Sequence, residues 1–319
     1  MDIPASVIEI VPGAFGICDN LTLINVEAGN NNFASVDGVL FNKAKTTLIQ
    51  YPGGKTETTY TIPASVIEVG EEAFIGSDKY QLSSIVIPNS MTYISDYAFV
   101  FCESLKSVVI PNSVTTIGKA AFSRCKSLTQ VVIPNSVNAI KDNAFFACKS
   151  LTSVVIPNSV NLIEDSAFNG CDGLEQIINQ AITPQSLEQR TFRYVTTSNI
   201  KLFVPDQSLV AYKAADVWKD FDIQPISTMP TAIGNAAAKQ TFAISFAGIR
   251  NGEINLNLKA GNYTAELYNV QGRLVSSVNI NALNGLNATG IRTNNLSKGM
   301  FILNVKQAGA SVLKQKVRI

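Results

Sequence analysis

The sequence predicts a mainly β protein in which a solenoid of 23-residue repeats precedes a small antiparallel β-sandwich. Three observations support this prediction. A segment ending in I-P-N-S recurs along the first half of the chain, the recurrence stops before residue 230, and short alternating strands separated by Gly/Asn turns fill the remainder. Apolar residues make up 46% of the 319 residues, yet no uninterrupted apolar run approaches the roughly 20 residues of a membrane-spanning helix.

Four copies of the repeat place an isoleucine before Pro-Asn-Ser at intervals of 23 residues: Ile87, Ile110, Ile133 and Ile156. One copy reads L-x-x-V-V-I-P-N-S-V-x-x-I-x-x-x-A-F-x-x-C. A proline in every copy excludes one long helix, so the β-branched run from Ser107 to Ile110 is predicted to be a strand that ends at Pro111. One repeat has too few apolar groups to fold alone, and stacking buries them in a column. We expect eight or nine rungs, about 4.8 Å apart.

Weaker copies extend the array in both directions. Ile3 and Val26 lie 23 residues apart, and Val204-Pro205 closes the series. The predicted solenoid, residues 1–226, contains a β-hairpin insertion near 36–54 whose arms flank Asn42–Lys45. It ends in a cap near 205–226, where Tyr212–Phe221 is predicted to form an amphipathic helix with Trp218 and Phe221 over the open end of the core. A linker, 227–241, and the sandwich, 242–319, follow.

The cysteines follow the same period. Four of them lie 23 residues apart, Cys18 occupies the equivalent position in the first copy, and Ser77 replaces cysteine in the copy between: Cys102, Cys125, Cys148 and Cys171 are the regular series. Zinc sites need paired ligands two to four residues apart, and Cβ atoms on adjacent rungs are about 4.8 Å apart where a disulfide prefers about 3.8 Å. We therefore predict an inward ladder of buried thiols.

The outer face of the strands is the candidate binding surface. In L-x-x-V-V-I the first, fourth and sixth residues point inward, and those between point outward. Stacking then aligns an apolar stripe beside two polar rows: Val86, Val109, Val132 and Val155, then Ser84, Ser107, Gln130 and Ser153, and then Lys106, Thr129 and Thr152. Contiguous exposed apolar groups often mark interaction sites, although valine also occurs for its strand propensity alone.

The motif I-P-x-S-V-x-x-I-x-x-x-A-F-x-x-C resembles the BspA-like leucine-rich repeats over residues 1–226. The insertion and the closing stretch L-F-V-P-D-Q-S-L-V-A-Y-K-A-A-D-V-W-K-D-F also resemble segments of that family. The resemblance implies a leucine-rich-repeat solenoid on a cell surface, and it implies adhesion to a host protein, an extracellular matrix protein or another cell.

Residues 232–319 resemble a type A sorting domain of the type IX secretion route. The resemblance rests on Gly261-Asn262-Tyr263, on L-Y-N-V-Q-G-R-L-V from Leu267, on L-S-K-G-M-F-I-L-N-V from Leu296, and on the basic end K-Q-K-V-R-I. It implies translocation across the outer membrane, removal of the domain by a sortase-like protease, and surface attachment of the rest. The candidate sorting residues are Gly261, Tyr263, Gly272, Gly299, Lys314, Lys316 and Arg318. The basic ones alternatively form a charged edge strand that resists pairing.

Charge and residue usage bear on function. Residues 1–231 hold 15 Lys and Arg against 22 Asp and Glu, whereas residues 232–319 hold 10 against 2, which suggests modules with different partners. No basic cluster is dense enough to indicate nucleic acid. The chain has no histidine, the commonest general base and neutral metal ligand. We expect no metal and no cofactor.

Neither a catalytic motif nor a secretory leader is evident. The carboxylates fall on turns away from any predicted cleft, so we predict that the protein is not an enzyme: Asp96, Asp142, Glu164 and Asp165. Because the segment Met1-Asp2-Ile3-Pro4 opens inside a repeat, we expect the natural N-terminus to lie upstream.

The predicted function is surface binding through the strand face. The alternatives are a passive spacer that displays other domains and, less favoured because the stripe has no aromatic residues, polysaccharide binding.

Overall fold

A computed structural model describes residues 1–76 and 81–229 and, beyond them, seven strands between residues 245 and 318. The chain divides into two compact units, Met1–Met229 and Pro230–Ile319. The first unit is the solenoid and the second is antiparallel β-structure. Residues 230–241 of the predicted linker lie outside the described residues, and a 3₁₀ helix at Ile226–Thr228 precedes them.

The N-terminal rungs contain the predicted hairpin and one strand more. The strands are β1 (Asp2–Ile3), β2 (Asn25–Val26), β3 (Phe33–Val36), β4 (Val39–Asn42) and β5 (Thr47–Gln50). Ile3 lies opposite Val26 in a parallel pair, as the 23-residue offset predicts. The antiparallel pair β4–β5 is the predicted hairpin. The prediction missed β3, which joins β4 through Asp37-Gly38 with φ of 51° and 76°, the positive values that a type I′ turn requires.

Successive repeats stack in register as parallel strands. The remaining strands of the solenoid are β6 (Thr59–Thr61), β7 (Glu68–Val69), β8 (Ser84–Val86), β9 (Tyr93–Ile94), β10 (Ser107–Val109), β11 (Thr116–Ile117), β12 (Gln130–Val132), β13 (Ala139–Ile140), β14 (Ser153–Ile156), β15 (Leu162–Ile163), β16 (Gln176–Asn179), β17 (Lys201–Val204) and β18 (Asp222–Pro225). Eight of them form one sheet in the order β6-β8-β10-β12-β14-β16-β17-β18, and β9, β11, β13 and β15 form a second. The described solenoid therefore has ten rungs including β1 and β2. The expected eight or nine rungs leave out β18, whose segment lacks I-P-N-S.

The A-F segment of each repeat forms a third wall, which we call the turn wall. There the Phe99 amide donates to the Ala121 carbonyl oxygen across 2.9 Å, and the Phe122 amide donates to that of Ala144 across 2.8 Å. The predicted inward residues of one repeat are each 7% exposed or less: Leu105, Val108, Ile110, Val114, Ile117 and Phe122. The phenylalanines of successive rungs stack along the core.

The cap closes the C-terminal end of the core, but it is not one helix. Helix α1 spans Leu209–Ala214, and Val217 then adopts a left-handed conformation with φ of 68°, which ends helical structure before Trp218. Short 3₁₀ helices lie at Thr197–Asn199, Asp206–Ser208 and Trp218–Asp220. The ring centroids of Trp218 and Phe221 lie 5.7 and 5.1 Å from that of Phe192, the last phenylalanine of the stacked series.

The thiol ladder is confirmed for four cysteines and wrong for Cys18. Each buried thiol donates to a carbonyl oxygen of the preceding rung; that of Cys148 lies 3.2 Å from the Phe122 oxygen. Cys18 is exposed. Its rung is the first of the described stack and is covered from one side only, where Gly16 lies beside Ile75.

The second unit consists of two antiparallel sheets. Its strands are β19 (Ser245–Arg250), β20 (Glu253–Asn257), β21 (Gly261–Asn269), β22 (Leu274–Ala282), β23 (Ala288–Arg292), β24 (Met300–Gln307) and β25 (Ala310–Arg318). They are ordered β19-β20-β23 and β22-β21-β24-β25, and β23 contacts β21 and β22. The fold class agrees with the prediction, and residues 242–244 of the predicted sandwich lie outside the described residues.

Candidate binding surface

The apolar stripe follows the outer face of the eight-stranded sheet. Val109 is 70% exposed and Val86 is 49% exposed, while Val132 is half-buried. Direct pairing of Val86 with Val109, and of Val109 with Val132, makes the three side chains neighbours on successive rungs. They form what we call the exposed stripe.

The expectation that Val155 is exposed with them is wrong, because Val155 is 6% exposed. It pairs with Ile178, which in turn pairs with Phe203, so the stripe continues in larger side chains. Ile178 and Phe203 are themselves 3% and 2% exposed, so this end of the stripe is buried on three successive rungs. Sequence reasoning missed Ile178 and Phe203 because their repeats lack I-P-N-S, although the 23-residue offset from Val155 to Ile178 was a usable signal.

Several side chains in the polar rows beside the stripe form hydrogen bonds between neighbouring rungs. The Thr129 hydroxyl donates to the Lys106 carbonyl oxygen at 3.4 Å, and the Thr152 hydroxyl donates to that of Thr129 at 3.2 Å. The Gln176 amide similarly donates to the Ser153 hydroxyl at 3.3 Å. Lys106 and Ser107 are exposed, whereas Ser84, Gln130 and Ser153 are half-buried. Lys106 and Ser107 are therefore the accessible polar groups beside Val109.

The carboxylates on the turns connect neighbouring rungs. Glu164 accepts from the Lys141 ammonium at 2.6 Å and from the Asp142 amide at 3.1 Å, and it raises the pKa of Lys141. Asp165 pairs with Arg190 at 2.5 Å. Asp96 accepts from the Lys119 amide at 2.7 Å. These contacts assign structural roles to the three carboxylates. The described part of the chain contains no cluster of three or more His, Cys, Asp or Glu residues suited to a metal ion.

The candidate sorting residues lie on two strands of the C-terminal unit. Gly261 and Tyr263 are in β21. Lys314, Lys316 and Arg318 occupy alternate positions of β25, the last strand in its sheet, opposite Asn304, Ile302 and Met300, respectively. Gly272 and Gly299 lie outside the described residues.

Family comparisons agree with this architecture. Residues 53–175 match the model of the BspA type leucine rich repeat region in six copies. Residues 53–175 of the solenoid are therefore an array of BspA-type leucine-rich repeats. Residues 250–319 match the secretion system C-terminal sorting domain, so the chain ends in a sorting domain of the type IX route. These two assignments confirm the resemblances on which the sequence prediction rested.

The solved structures similar to the chain are bacterial leucine-rich-repeat proteins. The pneumococcal vaccine antigen PcpA is 27% identical with a TM-score of 0.59, and the match covers 70% of this chain and 55% of PcpA. A leucine-rich cell surface protein from Faecalibacterium prausnitzii is 31% identical with a TM-score of 0.52 over 56% of this chain and 47% of its own. A leucine-rich repeat protein from Eubacterium ventriosum is 28% identical with a TM-score of 0.53, covering 70% and 56%. The chain thus spans about half the length of these relatives. Among curated proteins, none matches significantly.

The sorting domain and the BspA-type repeats make this a secreted or cell-surface protein. Its matching families and structural relatives are repeat surface proteins rather than enzyme families. Across the described residues, no helix has the length and apolar character needed to cross a membrane.

Proposed function

We propose that the leucine-rich-repeat array binds a protein on a host surface, in the extracellular matrix or on another cell, and that it does so through the exposed stripe. The observation that carries the proposal is the 70% exposure of Val109 on a regular sheet whose inward residues are buried. A row of aliphatic side chains on a rigid sheet needs little ordering on binding, which lowers the entropic cost of association.

The chemistry of the stripe favours a protein partner over a polysaccharide. Its exposed part is aliphatic and is bordered by the Lys106 ammonium and the Ser107 hydroxyl. An apolar centre with a polar rim is the arrangement of protein–protein interfaces. A passive spacer is the alternative function, and it requires no particular chemistry on this face.

The C-terminal domain directs the array across the outer membrane and to the surface, and the route removes the domain once export is complete. Lys314, Lys316 and Arg318, at alternate positions of the last strand in its sheet, are the candidate signal for the secretion machinery. Changing all three to Gln should trap the protein in the periplasm, whereas Lys213→Gln on α1 should leave export unchanged. Normal surface display of the triple variant would exclude these charges as the signal.

A matched pair of variants of the full chain tests the binding face. Val109→Lys with Val132→Lys places two charges on the exposed stripe, and Asn138→Lys with Leu162→Lys places two charges near the second sheet, where Leu162 is 40% exposed. The wild type and both double variants are measured for saturable binding to purified matrix proteins and to host cells. We expect the first variant to lose at least tenfold in affinity and the second to bind normally. Equal binding by both excludes the stripe, and no binding by the folded wild-type protein supports the spacer.

A further inference from the structure

The turn wall carries a cation held between aromatic rings. Arg124 is exposed, and its guanidinium carbon lies 5.2 Å from the ring centroid of Phe101 and 5.8 Å from that of Phe146. The three residues belong to three successive rungs. Cation–π contacts restrict the orientation of a long side chain that would otherwise sample many rotamers.

The Arg124 guanidinium has no acidic partner among the described residues. Nearby Lys126 pairs with Glu103 at 2.6 Å, and exposed Lys149 occupies the equivalent position one rung further along. The hydrogen bond from the Ser150 amide to the Lys126 carbonyl oxygen places those rungs side by side. This basic cluster stands on a solenoid that is acidic overall, with 22 Asp and Glu against 15 Lys and Arg in residues 1–231. Glu103 and the exposed Asp172 occupy the equivalent positions on the rungs to either side, so Arg124 and Lys149 carry the local excess of positive charge.

The same backbone conformation recurs along this column of the turn wall. Phe101, Arg124, Ala147 and Gly170 occupy equivalent positions and have φ of 59°, 61°, 55° and 70°, all in the left-handed region. Because the turn has the same conformation on each rung, Phe101 and Arg124 lie at matching places on the wall.

We propose that Arg124, supported by Phe101 and Phe146 and joined by Lys126 and Lys149, binds an anionic polysaccharide along the turn wall. The guanidinium fork matches the geometry of carboxylate and of tetrahedral oxyanions. Three rungs at about 4.8 Å spacing let a linear polymer with regularly spaced anionic groups meet successive cations. The site is separate from the exposed stripe, which lies on the eight-stranded sheet, and the proposal does not depend on the function proposed for that stripe.

The occupied backbone of the turn wall disfavours an acidic peptide. The Arg124 amide donates to the Phe146 carbonyl oxygen at 2.7 Å, and the Phe101 amide donates to that of Ser123 at 2.9 Å. A peptide therefore cannot add here as a further strand, which is the usual source of main-chain affinity for extended peptides. A polysaccharide needs only the side-chain cations.

Binding of four polymers to the full chain tests the proposal: heparin, which is sulfated, hyaluronate, which is carboxylated, neutral dextran, and poly-L-glutamate. We expect saturable binding of heparin or hyaluronate that weakens with salt, and the better of the two identifies the anionic group. Arg124→Gln should weaken it about tenfold, because it removes a charge-assisted hydrogen bond. Phe146→Leu should weaken it about two- to fivefold. Lys213→Gln removes one charge on α1 and should have no effect. Every variant carries the same basic C-terminal domain, so that domain cannot cause a difference in binding between them.

Several results of these binding measurements would overturn the proposal. Polysaccharide binding that is the same in Arg124→Gln and Lys213→Gln overturns the site. Tighter binding of poly-L-glutamate with the same sensitivity to Arg124→Gln would assign the site to acidic peptides and overturn the polysaccharide, as would equal binding of dextran. If Arg124→Gln unfolds at a lower temperature than the wild type, the exposed Lys149→Gln serves as the test variant instead. Polysaccharide binding by Lys149→Gln that equals that of the wild type also overturns the proposal.

Discussion

Phe122 and Phe145 lie on successive rungs with their ring centroids 5.5 Å apart and their planes inclined by only 7°. The same relationship joins Phe145 to Phe168, at 5.4 Å and 6°, and the series ends where Phe192 meets the cap. Both rings of the first pair are fully buried. The stack therefore runs through the core as a continuous column, and removing one ring from its middle leaves a cavity bounded by rings on both sides.

Phe122→Ala should destabilise the solenoid by about 3–5 kcal/mol, the usual cost of removing a buried aromatic side chain. Val109→Ala at the exposed stripe should change stability by less than about 0.5 kcal/mol. Trp218, the one tryptophan of the sequence, lies buried in the solenoid cap, so its fluorescence during urea unfolding reports on this unit. Similar losses for the two variants would show that the ring stack contributes little.

The thiol ladder predicts selective alkylation. Burial raises the pKa of Cys125 and of Cys148, and both thiols are inaccessible in the folded protein. Cys18 is exposed. Because the thiolate is the reactive form, iodoacetamide should add once to the native protein, at Cys18, and to all five cysteines after unfolding. Mass spectrometry of intact protein and of its peptides gives the number and position of the adducts. Rapid native labelling of a second cysteine would contradict the buried ladder.

The repeat made the fold and the inward residues predictable. The period of 23 fixes which residues are neighbours across rungs, and alternation in L-x-x-V-V-I fixes which of them face the core, so Val108 and Val109 were assigned correctly. Features that depend on one rung alone were missed. The left-handed Val217 shortens the cap helix, and the burial of Val155 together with Ile178 does not follow from the period. The contact of Arg124 with Phe146 is diagonal between rungs, so no repeat period reveals it.

The Asp37-Gly38 turn should tolerate no side chain at its second residue. A Cβ added at Gly38 would stand 2.7 Å from the Leu23 Cβ, and φ is 76°. Gly38→Ala should therefore cost at least about 1–2 kcal/mol. Gly29→Ala is the matched control, because its added Cβ would lie 3.4 Å from that of Ala5, an ordinary contact. Urea unfolding followed by Trp218 fluorescence compares them, and equal stability of the two variants would contradict the predicted clash.

Tyr212 should make the cap sensitive to alkaline pH. Its buried hydroxyl donates to the Ala181 carbonyl oxygen at 3.0 Å, and burial raises its pKa above the ordinary value of 10.0. Burial and the charge of Asp37 likewise raise the pKa of Tyr60 to about 12. Above pH 10 the unfolded chain loses these protons while the folded chain keeps them. The stabilisation is therefore complete below pH 10 and declines as pH rises toward the folded pKa.

The variant Tyr212→Phe isolates this effect. Each protonated phenol that the folded state retains should lower the free energy of unfolding by about 1.4 kcal/mol per pH unit above pH 10. The variant should lose about 1 kcal/mol at pH 8, where it lacks the hydrogen bond, and should decline less steeply than the wild type between pH 10 and 11.5. Urea titrations at each pH supply the slopes. Parallel slopes would mean that Tyr212 ionises in the folded cap and that its burial does not control alkaline stability.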